Sequence, residues 1–302
     1  MGILRLSHVE VRVPDLELAT AYYTEVLGLI ETARERERVF LKCWDEHQHH
    51  SVILRHAPNY GLEHMGFKVE TADDLAVFEA VLDSLGCTTK RFGAGELGPG
   101  HGQAVRFDTP SGHVMEVVWG MEQVGNPLPL TNPPPAPLGL VGIAPPRLDH
   151  LFLTAEDVDE ATGFCTELGF RLTEQIVAND GHRLAGWLER SHTPHDIAFL
   201  TGPQSGLHHF AFWVDDWNDV RRAADTLAYH GVDIELGPTR HGATRGFTLY
   251  FFDPAGNRNE VFTGGYWADP GAEPVTWTED EMGRALFWYE GQVDERFLTV
   301  HS

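Results

Sequence analysis

Glu260 stands where a solvated carboxylate does not belong. It lies in GFTLYFFDPAGNRNEVFTGG (246–265), which reads as an aromatic strand, a turn punctuated by Pro254, Gly256 and Asn257, and a second strand. Side chains alternate along a strand, so Arg258, Glu260 and Phe262 share one face. An unpaired buried carboxylate is costly, so Glu260 requires a cation. Two histidines in similar strand contexts, His150 in RLDHLFL and His209 in LHHFAFWV, can hold that cation with it. Two imidazoles and one carboxylate, with positions left open, form the donor set of non-haem Fe(II) centres that activate oxygen. Mn(II) accepts the same ligands.

The first half of the chain carries a matching set. His209 lies 59 positions after His150 and Glu260 a further 51; His64 lies 56 after His8 and Glu116 a further 52. Spacing alone does not choose between them. Proton donors and acceptors around the ligands do, because oxygen chemistry needs them within reach. The second half offers His195 in TPHDIAF, His241 in PTRHGATRG and Tyr250 in TLYFF. In the first half, His50 precedes His64 by 14 positions, as His195 precedes His209. Counting back from the shared Phe-Asp pair, however, sets Val105 against Tyr250 and Glu96 against His241. The second half is therefore read as active and the first as metal-free. His49, His50, His101, His192 and His208 are read as structural or surface residues.

These side chains need strands to present them, and the chain supplies strands in a repeat. A strand beginning with histidine, an amphipathic helix and an LG-like end recur from His8, His64, His150 and His209. Asp15, Asp73 and Asp157 stand near the helix starts as caps, and Gly28, Gly86, Gly169 and Gly231 near the ends. Strand-like runs follow each helix, so each repeat reads as βαβββ. Two repeats per half predict an α+β fold of two similar domains, 1–125 and 147–265, each a curved, barrel-like mixed sheet. Residues 126–146 contain eight prolines and form the linker. The tail, 266–302, has helical spacing at Met282, Leu286 and Tyr289 and is expected to pack on the second domain.

Composition sets the outer limits. The 302 residues carry 22 Lys+Arg against 45 Asp+Glu, and the formal charge of −23 argues against nucleic acid or an anionic membrane as partner. Three scattered cysteines, Cys43, Cys87 and Cys165, do not make a disulfide framework and suit a reducing, cytoplasmic compartment. No long apolar run or charged leader suggests a membrane span or secretion signal.

At FLKCWDE, HMGFKVE, AGEL, VRFDTPSGH, RLDHLFL, LHH, GPTRHG, LYFFDPAGNRNEVF, PVTWT and DERFLTV the chain resembles the extradiol ring-cleaving dioxygenases of the vicinal oxygen chelate superfamily, the catechol-cleaving branch above all. The resemblance implies Fe(II) on His150, His209 and Glu260. It implies acid–base work for His195, and hydrogen bonds from His241 and Tyr250 to a bound catecholate. It also implies a homotetramer that opens catechol or an alkylcatechol with O₂ to a 2-hydroxymuconic semialdehyde, in aromatic-compound degradation. Trp187, Phe199, Ala243, Leu286 and Phe297 are candidate pocket residues. Ala243 stands where such relatives often carry a larger aliphatic residue, which widens the pocket. Leu236 lies near the place where homoprotocatechuate-cleaving relatives have an arginine for the substrate carboxylate. The first half keeps a fuller His/Glu set than such relatives usually show. Competing expectations are a dioxygenase for a bicyclic diol such as 2,3-dihydroxybiphenyl, and a non-enzymatic binding protein on the same scaffold.

Overall fold

Four times along the chain a strand, a helix and three strands follow one another. The computed structural model describes residues 2–302. The first half comprises β1 (Ile3–Val13), α1 (Leu16–Ala21, running into a π-helical turn Tyr22–Val26), β2 (Ile30–Arg34), β3 (Arg38–Lys42) and β4 (Val52–His56). It continues through β5 (Gly61–Val69), α2 (Ala72–Ser84), β6 (Thr89–Phe92), β7 (Gln103–Asp108) and β8 (Val114–Trp119). The second half repeats the order with β9 (Arg147–Ala155), α3 (Val158–Glu167), β10 (Arg171–Val177), β11 (Arg183–Glu189) and β12 (Ile197–Thr201). Then come β13 (Gly206–Trp213), α4 (Trp217–Tyr229), β14 (Ile234–Arg240), β15 (Gly246–Phe252) and β16 (Arg258–Gly264). The tail adds β17 (Val275–Thr278), α5 (Met282–Leu286) and α6 (Glu295–Thr299).

Each half folds into one mixed sheet, ordered β2-β3-β4-β1-β5-β8-β7-β6 in the first and β14-β15-β16-β13-β9-β12-β11-β10-β17 in the second. The repeats meet at antiparallel central pairs, β1 with β5 and β9 with β13. Parallel partners flank those pairs, β4 and β8 in one sheet, β12 and β16 in the other. All four first strands of the repeats therefore run through the middle of a sheet, where their side chains are most deeply buried.

Alternation sorts the residues onto two faces. Leu151, Leu153, Leu249, Phe251 and Val261 enter a large apolar core beneath the helices. Phe152, Trp187, Ala198 and Tyr250 belong to a second cluster on the opposite, cupped face. The helices start at side-chain caps from Asp15, Thr71, Asp157 and Asp216. Asp73 is not a cap: Thr71 holds that position and shares a capping box with Asp74. The glycines closing the repeats, Gly28, Gly86, Gly169 and Gly231, have φ of 79°, 77°, 92° and 69°, a conformation that a Cβ would strain.

The halves share one core. Tyr23 from the first half donates its hydroxyl to Asp253 at 3.0 Å, Gly61 N–H donates to Asn257 at 2.9 Å, and Phe67 packs edge-on against Phe170. Between the sheets, 126–146 forms no regular element, and Leu130 and Leu138 in it are fully exposed. The tail returns to the second sheet. β17 adds in parallel to β10, and Ser302 exchanges backbone hydrogen bonds with Leu207. The helix anticipated there is shorter than the spacing suggests, and Tyr289 lies beyond its end and is exposed. Phe210, fully buried and stacked on Tyr23, joins the halves. Replacing it with Ala should cost about 3–5 kcal/mol in urea unfolding. Far-UV CD and tryptophan fluorescence should still report one coincident transition; two separated transitions would show that the halves are energetically independent.

Candidate active site

β9, β13 and β16 are hydrogen-bonded neighbours, and each turns one polar side chain into the cup. His150 Nε2 and His209 Nε2 both lie 3.0 Å from Glu260 Oε2. None of the three is more than 4% exposed. Alternation places His150 and Glu260 there directly. His209 arrives by a different route. The register of β13 against β9 slips between Leu207 and His209. Leu207 and Phe210 consequently both enter the core under the helices, and His208 and His209 are both left on the cup side. Simple alternation would turn His208 away from the site, and this bulge brings it to the same side as His209.

The bulge also decides where protons sit. His208 Nε2 is 2.7 Å from the carbonyl of Phe297, so that nitrogen carries the proton. Burial holds the His208 imidazole well below its usual range, with the charge of Arg258 adding to the effect, and so the ring is neutral. His208 Nδ1 is then an acceptor, and His209 Nδ1–H donates to it at 2.7 Å. Burial likewise pushes His209 down to about 4 despite the nearby Glu260. Its Nε2 therefore presents a bare lone pair to a carboxylate oxygen. Two electron-rich atoms at 3.0 Å, both out of water, require a shared cation. His150 is oriented in the same sense, because Asp149 takes a hydrogen bond from its Nδ1 at 2.9 Å. Burial lowers the His150 pKa, but hydrogen bonds with Asp149 and Glu260 bring it up to about 9, so His150 carries the proton that lies against Glu260 and that a metal ion would displace. Burial opposes the Glu260 charge too, yet the contacts it makes with the surrounding histidines hold the carboxyl well below its ordinary range. Thr248 donates to its other oxygen, Oε1. The donor set fits a divalent ion with open positions.

Beside these side chains lies a narrow cavity. His195, on the loop before β12, has its ring centroid 3.9 Å from that of His150, and its Nδ1 has no hydrogen-bond partner. Burial, reinforced by the charge of His150, keeps His195 neutral. His241, just past β14, meets the Tyr250 hydroxyl at 3.0 Å and fixes its own Nδ1 on the Leu286 carbonyl. Burial raises Tyr250 well above its usual range, so it keeps its proton. Phe152 and Trp187 stack at 5.8 Å along one wall. Ala243, Leu286 and Phe297 supply others, the last two from the tail. The 241–245 loop is clamped to α5 by hydrogen bonds from the Gly242 and Ala243 amides to Ala285 O.

Of the candidate pocket residues, Trp187, Ala243, Leu286 and Phe297 line this cavity and Phe199 does not. Phe199 follows Ala198 on β12, and alternation turns it into the core beneath the helices. Phe152, Thr244, Phe262 and Ala285 line the cavity without having been singled out. Phe152 and Phe262 were accessible, since each lies two positions from a ligand on the same strand face. Thr244 and Ala285 meet only through the tail. Counting from the Phe-Asp pair also misassigned the first half. Tyr250 pairs with Glu260 across β15 and β16, and Arg106, not Val105, holds that register opposite Glu116. The two turns, 109–113 and 253–257, are equally long, but Asp108 is the last residue of its strand whereas Asp253 opens its turn, which shifts the count by one.

Residues 147–261 match the family described as the glyoxalase/bleomycin resistance protein/dioxygenase superfamily, and residues 62–119 match the catechol 2,3-dioxygenase-like N-terminal domain. The chain is 43% identical to a metapyrocatechase of Pseudomonas sp. (strain CF600), over 99% of this chain and 98% of that one. It is 33% identical to a manganese-dependent 2,3-dihydroxybiphenyl 1,2-dioxygenase of Geobacillus genomosp. 3, over 95% and 94% of the two chains. Among solved structures, the 2,3-dioxygenase LapB of Pseudomonas sp. KL28 superposes with a TM-score of 0.89 at 43% identity, covering 93% of this chain and 99% of that one.

His208 is a positioning residue for His209, and Leu in its place keeps the bulk without the proton relay. His208→Leu should retain the far-UV CD spectrum and lower metal affinity roughly 10- to 100-fold in a chelator competition. An affinity within twofold of the parent would sever the link drawn between the Phe297 carbonyl and the ligand.

Proposed function

Since this chain belongs to the extradiol ring-cleaving dioxygenases of the glyoxalase/bleomycin resistance/dioxygenase superfamily, we propose that it opens catechol and alkylcatechols beside the diol. Both atoms of O₂ enter the product, a 2-hydroxymuconic semialdehyde. The observation that carries this reading is the proton-free contact of His209 Nε2 with Glu260 Oε2 at the wall of an aromatic slot. A non-enzymatic binding protein would have no use for such a contact.

We assign the chemistry to 147–265 with the tail 266–302, reached from the scaffold unit 1–125 through the linker 126–146. His150, His209 and Glu260 would hold Fe(II), which supplies Lewis acidity toward a vicinal diol and one-electron chemistry toward O₂. The protein's own groups do the rest. Phe152, Trp187, Leu286 and Phe297 sandwich a flat ring and exclude water. Tyr250 keeps its proton, which rests on His241 Nε2, and turns it from there to a deprotonated diol oxygen when substrate binds. His195 is neutral and unpartnered at Nδ1, so it takes a proton from substrate and returns it later in the reaction. Among the described residues lining the cavity there is no Lys or Arg, and the substituents that fit best are uncharged.

A diol with two rings is a second reading, favoured by the manganese-dependent relative and by the space beside Ala243. Mn(II) takes the same donors, so metal analysis of active protein decides the ion. We further propose a cytoplasmic homotetramer, which light scattering tests; no helix among the described residues is long and apolar enough to cross a membrane.

Catechol under air should yield the yellow ring-opened product. The ratio of kcat/KM for catechol, methylcatechols and 2,3-dihydroxybiphenyl separates the two substrate classes; a preference for the biphenyl diol would replace the first reading with the second. Glu260→Gln should lose both metal and turnover. His195→Asn should keep its metal but lose about 10²–10⁴-fold in kcat, the usual worth of a positioned proton donor or acceptor. Unchanged kinetics in that variant would remove His195 from the mechanism.

A further inference from the structure

The first half holds a second set of buried histidines that none of the chemistry above uses. β1, β5 and β8 carry His8, His64 and Glu116 at positions matching His150, His209 and Glu260, and loops add His50 and His101. All five are at most 3% exposed. His8 Nε2 lies 3.1 Å from His64 Nε2 and 3.1 Å from Glu116 Oε1. His101 Nε2 lies 2.8 Å from the same oxygen, while its Nδ1 is given to the Gly102 carbonyl. His8 Nδ1, His50 Nε2 and His64 Nδ1 have no hydrogen-bond partner. Two ring nitrogens on one carboxylate oxygen, with a third nose to nose against one of them, make a poor hydrogen-bond network and a good ligand cage.

The distances agree with that. Bonds of about 2.0–2.1 Å in a tetrahedron set ligand atoms about 3.3 Å apart, close to the 3.1 Å that separates His8 Nε2 from both His64 Nε2 and Glu116 Oε1 and the 2.8 Å from His101 Nε2 to that oxygen, while His64 Nε2 lies 3.8 Å from Glu116 Oε2. Arg106 complicates the picture, because its Nε and Nη2 reach Glu116 at 3.0 and 2.8 Å, and Nη2 stands 3.2 Å from His64 Nε2. Both arginine contacts with the carboxylate fall on Oε2, which leaves Oε1 free and orients it toward the histidines. The expectation of a metal-free first half rested on its lacking counterparts of Tyr250 and His241. Those residues serve catalysis, and binding an ion does not need them.

We propose that His8, His64, His101 and Glu116 Oε1 bind a second divalent transition-metal ion, of the Zn(II) class by donor set. Four protein ligands in a buried, closed site leave no position for substrate, so the ion is structural. It ties β1, β5 and β8 to the loop between β6 and β7.

Full-length protein produced with added Zn(II) and dialysed into metal-free buffer should contain two ions per chain by mass spectrometry. Crystals should show an anomalous zinc peak between His8, His101 and Glu116. Glu260→Gln and His101→Ala should each reduce the content to one ion, and the double variant to none. Added Zn(II) should raise the Tm of Glu260→Gln but not of the double variant. A content of one ion that disappears with Glu260→Gln, or crystals with no peak in the first half, overturns the proposal and leaves Arg106 as the cation that Glu116 pairs with. Should His101→Ala fail to fold, the anomalous map of the unmodified protein decides. None of these readouts depends on turnover, so they stand apart from the dioxygenase reading.

Discussion

A carboxylate buried against two imidazoles is the constraint around which the second half is built. Glu260 has no access to water and receives hydrogen bonds or lone pairs from every side. A low-dielectric site of this kind is tolerable only with a cation at its centre. The sheet supplies three adjacent strands to aim the donors, and the residues behind each donor remove its freedom. Asp149 fixes His150, the bulge and His208 fix His209, and Thr248 fixes the carboxylate. The three side chains are thus held in one arrangement by the residues behind them.

The tail is part of the site, not an appendage to it. Phe297 carries both a wall of the cavity, through its ring, and the end of the proton relay, through its carbonyl. Leu286 does the same for His241. Buried Arg258 ties the two together, pairing with Glu235 while donating to the carbonyls of His208 and Val300. The wall of the cavity and the hydrogen bonds behind His209 and His241 are therefore coupled through the same short segment of chain.

Repetition explains why the two halves are alike and also why they diverge. Each βαβββ pair makes a cup with three inward positions on neighbouring strands, and both cups have filled those positions with His, His and Glu. What differs is the residue opposite the glutamate. Tyr250 in the second half is a neutral donor that opens onto a cavity, whereas Arg106 in the first is a fixed charge that covers the carboxylate's outer oxygen. With His101 closing the remaining side, the first cup has become a sealed knot and the second a reaction vessel.

Periodicity and types of residue made the repeats, the histidine-led strands, the glycine stops and the three converging side chains His150, His209 and Glu260 legible from sequence, because each depends on neighbours only a few positions away. His195, His241 and Tyr250 stood out for the same reason, as polar groups in apolar strand contexts. The tertiary structure alone decided the rest. A one-residue bulge turned His208 toward the site against simple alternation, and the strand pairing put Arg106, not Val105, opposite Glu116. Phe199 went to the core, and the tail brought Ala285, Leu286 and Phe297 over the cavity. Strand register and the docking of a distant segment are set by packing across the sheet, and no local pattern records how far a strand slips or where the chain's end comes to rest.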